Sequence, residues 1–359
     1  MTGMTQPGAV NAHTHLYSGL APLGLPAPAK EPESFVQILE SIWWRLDRAL
    51  DEPSLRASAR YYIGEALLAG TTGLVDHHES PNFIEGSLDV IADACQDMGV
   101  RAVLCYGATE RNGGREEAKR GLLEGRRFIK ANRRPLVKGV IGLHAGFTVS
   151  DETIREAGNL CRELDTVLHV HVAEDASDVA DARDRGYTDP VDRLVKLGAL
   201  PEGSILAHGI HLTPSQVRMA ADRGAWFVQN PRSNRGNKVG YPSALNQTDR
   251  VALGSDGYPA VMSDELDVFR EEAEAHGDLP ARGQKALVQG RTLLESFFAD
   301  VIDNDTVTQE RGEPLPRRVT VGGKAVVKDG RLVTADLHAV RNDAQREAVV
   351  LWERMRALA

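Results

Sequence analysis

Short apolar runs alternate along this chain with longer stretches in which apolar residues recur at helical spacing. Side chains alternate between the two faces of a strand, whereas a helix repeats every 3.6 residues, so the two patterns can be told apart. Eight apolar runs predict buried strands, which end at residues 11–15, 74–76, 103–106, 140–144, 167–171, 205–208, 226–229 and 251–254. Helices are predicted between them, for example at 87–98, 151–163 and 214–223.

This alternation predicts parallel strands joined by helical crossovers. Eight such units over roughly 250 residues fit an α/β fold of the (β/α)8 barrel type. A doubly wound open sheet is the competing architecture, but it would place Gly-x-Gly-x-x-Gly after the first strand, and that motif is absent here. We therefore predict a barrel over residues 9–315.

Two segments depart from the repeat. The first connection, residues 16–51, is long; it begins Pro/Gly-rich and continues as an amphipathic helix at 34–50 that carries Trp43 and Trp44. This helix could be an active-site lid or could pack its tryptophans on the barrel wall. Near the other end, 303–316 reads as a structureless polar link, 318–327 alternates like a strand, Asp329-Gly330 predicts a hairpin turn, and 342–358 predicts a helix. Residues 316–359 are thus expected to form a small second unit.

Composition narrows the class of partner. The 359 residues carry a formal net charge of −9, which argues against a nucleic-acid groove and against docking on an acidic membrane. No uncharged run approaches the roughly 18 residues that a membrane span needs. The three cysteines, Cys95, Cys105 and Cys161, have no paired spacing, so we expect reduced thiols in a cytoplasmic protein. A small-molecule substrate is the expected partner.

Histidines collect where the predicted strands end. Eight of the eleven histidines lie at or just past such an end. In a parallel barrel these strand ends meet at one rim, where functional residues sit. His13, His15 and His171, with Asp256, would give three imidazoles and one carboxylate, a set that suits Zn²⁺ or Fe²⁺ better than calcium or magnesium. The sequence therefore predicts a metal site with a position left for water.

The same rim offers groups for proton transfer. A bound divalent metal lowers the pKa of water to about 7 and so supplies hydroxide at neutral pH. Glu174, three residues past His171, is the predicted general acid/base. His208 could orient the water or polarise the substrate, and Asp256 could take the water proton while ligating the metal. The fourth strand ends in Gly142-Leu143-His144, without the lysine that commonly bridges two metals in such barrels, so a single ion is predicted.

These residues make the chain resemble the amidohydrolase superfamily, in its mononuclear aminohydrolase and deaminase branch. The matching stretches are Asn11-Ala12-His13-Thr14-His15, His169-Val170-His171-Val172-Ala173-Glu174, Ala207-His208-Gly209-Ile210-His211-Leu212 and Leu253-Gly254-Ser255-Asp256-Gly257. Further stretches resemble the SsnA-type aminohydrolases: Trp43-Trp44-Arg45-Leu46-Asp47, Asp76-His77-His78-Glu79-Ser80, Gly142-Leu143-His144-Ala145 and Asn230-Pro231-Arg232-Ser233-Asn234-Arg235-Gly236-Asn237. The resemblance implies metal at His13, His15, His171 and Asp256, proton transfer by Glu174, and His208 beside the water.

It also implies an activity. Related enzymes remove ammonia from purine-, pterin- or pyrimidine-like rings after hydroxide adds to an amidine-like carbon. The expected substrate contacts are His144, His77, Trp43, Asn230, Ser233 and Arg232. Two alternatives stay open: the same site could release an amide, a chloride or an N-substituted amine, or the barrel could be a non-catalytic metal or ligand carrier. An intact Glu174 argues against a carrier.

The chain departs from the family pattern at its ends. Family members usually begin with a segment that builds half of a small β-sandwich, whereas here the barrel starts almost at once. We therefore expect an incomplete sandwich, with the hairpin at 318–333 as its remnant. The open edge would then be covered by the terminal helix or by a second subunit, and a homodimer is expected.

Overall fold

Eight buried apolar runs pair side by side as parallel strands, in the order in which they occur along the chain. The computed structural model describes residues 3–298, 302–310, 312–313 and 315–358. We number the barrel strands first to eighth: Ala9–Thr14, Thr71–His78, Arg101–Ala108, Ile141–Ala145, Leu168–Val172, Ile205–His208, Trp226–Gln229 and Val251–Leu253. A short extra strand, Val137–Gly139, pairs with the third.

The barrel closes where the first strand meets the residues that follow the eighth. Thr14 and Asp256 form a parallel bridge, and the backbone N–H groups of Ser255 and Asp256 both donate to the carbonyl oxygen of His13 at 3.0 Å. An open doubly wound sheet would leave these two strands apart. The predicted (β/α)8 barrel is therefore confirmed.

Helices cover the outside of the barrel and bury their apolar faces against it. Those between and after the strands are Glu52–Leu68, Ser87–Met98, Gly114–Ala131, Asp151–Leu164, Ala176–Asp184, Pro190–Lys196, Pro214–Ala221, Pro231–Gly236, Met262–Ala275 and Ala281–Glu295. Side chains cap several of them; the Ser150 hydroxyl, for instance, accepts from the backbone N–H of Thr153. The three helices predicted above agree with these bounds to within two residues, as helix ends usually do.

The first connection is mostly helical. After short 3₁₀ turns at Leu16–Ser18 and Ala21–Leu23, it forms a helix in three consecutive pieces, Phe35–Ile38, Leu39–Trp43 and Trp44–Ala49. The middle piece is a π-helix. We call Phe35–Ala49 the lid helix, because it lies over the carboxyl ends of the strands and lines the cavity there.

A five-stranded antiparallel sheet lies outside the barrel. Its order is Met4–Pro7, Thr306–Gln309, Arg318–Val321, Lys324–Lys328 and Arg331–Leu332. The prediction that 303–316 has no regular structure was therefore wrong, because Thr306–Gln309 forms a strand that is too short to show alternation. The prediction of one strand at 318–327 was also wrong, because a tight turn at Gly322-Gly323, where both residues have positive φ, divides it into two strands. Residues before the barrel also contribute a strand, where none was expected.

The last helix, Leu337–Ala357, begins five residues before the predicted start because the Asp336 side chain caps it. Its buried residues Leu351 and Trp352 join the core formed with Glu52–Leu68. The domain division at residue 315 stays a prediction, and the small sheet takes strands from both sides of it. Within the described ranges, no helix is both long and apolar enough to cross a membrane.

Candidate active site

Barrel closure brings the four predicted metal ligands together. The Nε2 atoms of His13 and His171 lie 3.2 Å apart. Asp256 Oδ1 is 2.7 Å from Nε2 of His15 and 3.7 Å from Nε2 of His13. All three histidines are buried. Residues more than 150 positions apart in sequence thus form one cluster inside the barrel mouth.

In two of these histidines, His15 and His171, a backbone carbonyl fixes which ring nitrogen carries a proton. His171 Nδ1 is 2.7 Å from the carbonyl oxygen of His144, and His15 Nδ1 is 2.5 Å from that of His77. A carbonyl can only accept, so Nδ1 donates in both rings and the other nitrogen, Nε2, faces the cluster: toward Nε2 of His13 for His171, and toward Asp256 for His15. A metal ion at this place would replace the proton that otherwise lies between His15 and Asp256. The donor set therefore fits one divalent metal ion.

His208, and not His15, completes the most compact group around His13, His171 and Asp256. Ligand atoms of His13, His171, His208 and Asp256 all lie within 4.8 Å of one another. Nδ1 of His208 donates to Oδ1 of Asn234 at 3.0 Å, and its Nε2 is 3.5 Å from Glu174 Oε2. The geometry thus offers five candidate donors, and the choice of His15 over His208 as the fourth ligand stays a prediction.

The two carboxyl groups of the site are driven to opposite protonation states. Burial and the negative charge of Asp256 raise the pKa of Glu174 well above its usual range. Burial would also raise the pKa of Asp256, but hydrogen bonds from His13 and His15 hold it well below its usual range. The surroundings thus favour the protonated form of Glu174 and the ionised form of Asp256.

The imidazoles respond to the same carboxylate. Burial lowers the pKa of His13 to about 3, although Asp256 opposes this shift. Burial would also lower the pKa of His15, but the hydrogen bond and charge of Asp256 outweigh it and raise the pKa to about 10. Without another cation, the proton on His15 is thus what neutralises Asp256.

Three residues of the rim adopt left-handed backbone angles without being glycine. Their φ values are 49° at Ala173, 73° at His208 and 53° at Asp256. Such backbone costs on the order of 1–3 kcal/mol per residue and collects at functional sites. Each lies where the chain leaves a barrel strand, directly at or before a candidate catalytic side chain.

A cavity opens above the cluster. Its floor includes His15, His171, Glu174 and Asp256, and the lid helix supplies much of its wall. Two of the expected substrate contacts, Trp43 and His144, line it. Trp43 also lies over Gly257, where an added Cβ would come 3.2 Å from the indole ring.

The other expected contacts support the site instead of lining the cavity. His77 lies beneath it, with Nε2 3.0 Å from the carbonyl oxygen of Leu143 and Nδ1 2.8 Å from Glu79 Oε1. The Ser233 hydroxyl donates to Asp256 Oδ2. The Asn230 amide lies 3.4 Å from Nδ1 of His208. The Arg232 guanidinium pairs with Glu265 at 2.7 Å and donates to the carbonyl oxygen of Pro259 at 2.5 Å, outside the cavity lining.

Several cavity residues were not among the expected substrate contacts, notably Tyr17, Asp47 and Glu79. Glu79 is only 2% exposed, and Gly107 makes room for it, because an added Cβ there would approach Glu79 Oε1 to 2.6 Å. For Asp47 a signal existed in the sequence. Phe35, Leu39, Trp43 and Asp47 recur every four residues, the spacing of one helix face.

The sequence profile of the Amidohydrolase family matches residues 4–288. The chain belongs to the amidohydrolase family. One relative, the 5'-deoxyadenosine deaminase of Methanopyrus kandleri, is 28% identical in sequence to this chain, over 92% of this chain and 82% of that protein. The 5-methylthioadenosine/S-adenosylhomocysteine deaminase of Pyrococcus abyssi is 27% identical, over 92% and 84%.

Solved structures of other amidohydrolases have the same fold. An adenosine deaminase from Xanthomonas campestris with bound zinc superposes with a TM-score of 0.80 at 22% identity, covering 99% of this chain and 86% of that one. The zinc complex of atrazine chlorohydrolase TrzN from Arthrobacter aurescens gives a TM-score of 0.73 at 19% identity, over 96% and 88%. At such identities the likeness shows the fold.

Proposed function

We propose that this amidohydrolase is a metal-dependent deaminase that releases ammonia from a purine-like or related nitrogen heterocycle. The observation that carries the proposal is geometric: the imidazoles of His13, His15 and His171 converge with Asp256, and Glu174 Oε2 lies beside this cluster, 3.5 Å from His208 Nε2. The relatives named as deaminases of 5'-deoxyadenosine and of methylthioadenosine support it and point to adenosine-type substrates.

In this proposal His13, His15, His171 and Asp256 hold one divalent ion, with His208 next to it. Zinc is the proposed ion, supported by the zinc-bound structural neighbours; iron would suit the same donors. When bound, such an ion lowers the pKa of water and supplies hydroxide at neutral pH.

The protein's own groups then divide the proton transfers. The ionised carboxylate of Asp256 takes a proton from water, while the Ser233 hydroxyl holds its Oδ2. The protonated Glu174 gives its proton to a ring nitrogen of the substrate, which makes the adjacent carbon electrophilic. Asn234 keeps the Nδ1 proton on His208, so that the Nε2 lone pair faces Glu174 and the attacking water.

Ammonia release tests the proposal directly. Zinc-loaded protein should release ammonia from at least one ring class in a panel of adenosine, 5'-deoxyadenosine, guanine, pterin and cytosine. Loss of a chloride or an alkylamine from triazines without ammonia would replace deamination by another hydrolysis at the same site. Tight binding with no turnover of any compound would instead favour a ligand carrier.

We also propose that the protein works as a homodimer in the cytoplasm. The outer strand of the small sheet, Met4–Pro7, is exposed at every residue, so its edge is open to a second chain. The three buried, unbridged cysteines are compatible with a reducing compartment. Light scattering at micromolar concentration should give twice the mass of one chain, and a monomer mass would refute the dimer.

A further inference from the structure

The lid helix carries a buried carboxylate that the proposed chemistry does not use. Asp47 is 1% exposed and lines the cavity, on the lid side. Its Oδ2 accepts from Nη2 of Arg111 at 2.7 Å. Its Oδ1 is also buried, yet has no hydrogen-bond partner among the described residues. An acceptor of this kind is ready for a donor that the protein does not supply.

Two hydrogen-bond donors near Asp47 also lack a partner among the residues that the structure describes. Nε1 of Trp44 and Nη1 of Arg111 are buried and have no hydrogen-bond partner within the described part of the chain. The Arg111 guanidinium lies 4.8 Å from the Trp44 ring centre, and its Nε donates to Thr109 Oγ1 at 3.1 Å. The side chains of Asp47 and Arg111 are thus held in place by some of their polar atoms, while one other polar atom of each, like Nε1 of Trp44, has no hydrogen-bond partner in the described residues.

The geometry of the lid helix keeps Asp47 on the cavity side. In an α-helix, positions four apart drift around the axis by about 40° per step, because one turn holds 3.6 residues. Phe35, Leu39, Trp43 and Asp47 span three such steps, but the π turn at Leu39–Trp43 is wider and removes part of the drift. Phe35, Leu39, Trp43 and Asp47 therefore all line the cavity. π turns of this kind are frequent at functional sites.

Stability gives no sufficient reason for this pair. Burying an arginine and an aspartate removes both from water, and the ion pair often returns no more than an apolar pair of the same size would. Leaving Oδ1 unpaired adds to that cost. Among the cavity carboxylates, Glu79 also has a buried oxygen, Oε1, without a hydrogen-bond partner in the described residues, although this atom lies 2.8 Å from His77 Nδ1. Asp47 is the one of these two carboxylates that the lid helix carries.

We propose that Asp47 Oδ1 is a substrate-recognition site that accepts an N–H or O–H donor from the end of the substrate remote from the reacting carbon. Trp43, Trp44 and Phe35 also line the cavity, and aromatic walls of this kind suit a planar substrate ring. Two chemical sources carry such a donor: the ribose hydroxyls of a nucleoside, or an amino or lactam N–H of a base. This inference rests on the proposed deamination and adds the recognition element to it.

Binding, measured without turnover, tests the inference. In zinc-loaded Glu174→Gln protein, quenching of tryptophan fluorescence reports the Kd of two matched probe pairs: adenosine with 2′,3′-dideoxyadenosine, and 2,6-diaminopurine with adenine. Adding Asp47→Asn should weaken binding at least 10-fold for the donor-bearing member of one pair and less than 3-fold for its partner. A selective loss in the first pair identifies ribose hydroxyls as the donor, and one in the second pair identifies a base amine.

Two results would overturn it. If Asp47→Asn changes the Kd of every binding probe by less than 3-fold, or weakens both members of each pair equally, Asp47 is not a recognition group. The proposal of deamination would still stand in that case. If none of the four probes binds the Glu174→Gln protein, the proposed purine-type substrate falls, and this inference falls with it.

A matched control separates recognition from folding. Asp305 forms an equally buried pair with Arg101, with Nε and Oδ2 2.6 Å apart, at the opposite end of the barrel. Asp305→Asn should lower the Tm but leave the Kd of all probes unchanged. If it shifts these Kd values as Asp47→Asn does, the effect of Asp47 arises from stability, and recognition by Asp47 is refuted.

Discussion

The two ends of the barrel bury charge in opposite ways. At the amino end, both oxygens of Asp305 are paired, with Nε and Nη2 of Arg101 at 2.6 and 3.0 Å, and the backbone N–H of Gly322 adds a third bond at 2.7 Å. At the carboxyl rim, two imidazole Nε2 atoms face each other at 3.2 Å and Asp47 leaves an oxygen unpaired. Complete pairing is typical of structural burial, whereas converging unpaired groups indicate a ligand.

Removing a ligand from the rim should have the largest effect. His13→Ala should abolish stoichiometric metal, measured by elemental analysis, and lower kcat/KM by more than about 100-fold, since the loss of groups that merely support metal ligands already costs 10–100-fold. His276→Ala is the control, because that ring is about two-fifths exposed and bonds to the Glu272 carbonyl. Full metal content in His13→Ala would refute its role as a ligand.

Glu174→Gln should separate metal binding from proton transfer. The amide keeps the shape of the side chain but cannot donate the acid proton, so kcat should fall by about 10² or more while the metal content stays at wild type. Activity near that of wild type would remove Glu174 from the mechanism.

The residues changed in these two experiments were already predicted from the sequence. His13, His15, His171, His208, Glu174 and Asp256 follow apolar runs, and barrel topology alone carries such strand ends to one rim. The eight strands were predicted for the same reason. Sequence could not show that His208 joins His13, His171 and Asp256 in one compact group, because such distances depend on backbone turns such as the left-handed φ at Asp256.

The errors have a different physical origin. Thr306–Gln309 is a four-residue strand that owes its structure to partners on both sides, Met4–Pro7 and Arg318–Val321, and its own pattern is too short to reveal it. Asp47 was overlooked because a carboxylate on an amphipathic helix is normally exposed. Its burial depends on Arg111, which is 64 residues away.

Asn234→Ala should have an intermediate effect at the rim. Without the Asn234 oxygen, Nδ1 of His208 loses its acceptor and the proton is free to move to Nε2, so kcat should fall about 10-fold, within the usual range for such supporting bonds. Nitrogen-15 NMR of the His208 ring should show a mixture of tautomers, with KM nearly unchanged. A single Nδ1–H tautomer in the variant would contradict this role.

A change in the small sheet should leave catalysis almost untouched. Val319 is fully buried there, and Val319→Ala removes two buried carbons, so the free energy of unfolding should fall by about 1.5–3 kcal/mol. Urea denaturation measures that loss, and kcat/KM per folded molecule should stay within about twofold of wild type. A larger loss of activity would show that the two ends of the barrel are coupled.

The position of the metal tests our central claim most directly. An anomalous difference map recorded at the zinc absorption edge, from zinc-loaded crystals, should show one peak per chain among His13 Nε2, His171 Nε2 and Asp256 Oδ1, and its distances would show whether His15 or His208 is the fourth ligand. The absence of a peak there, or a peak only at the neighbouring group of Glu79, His144 and His171, would contradict the claim.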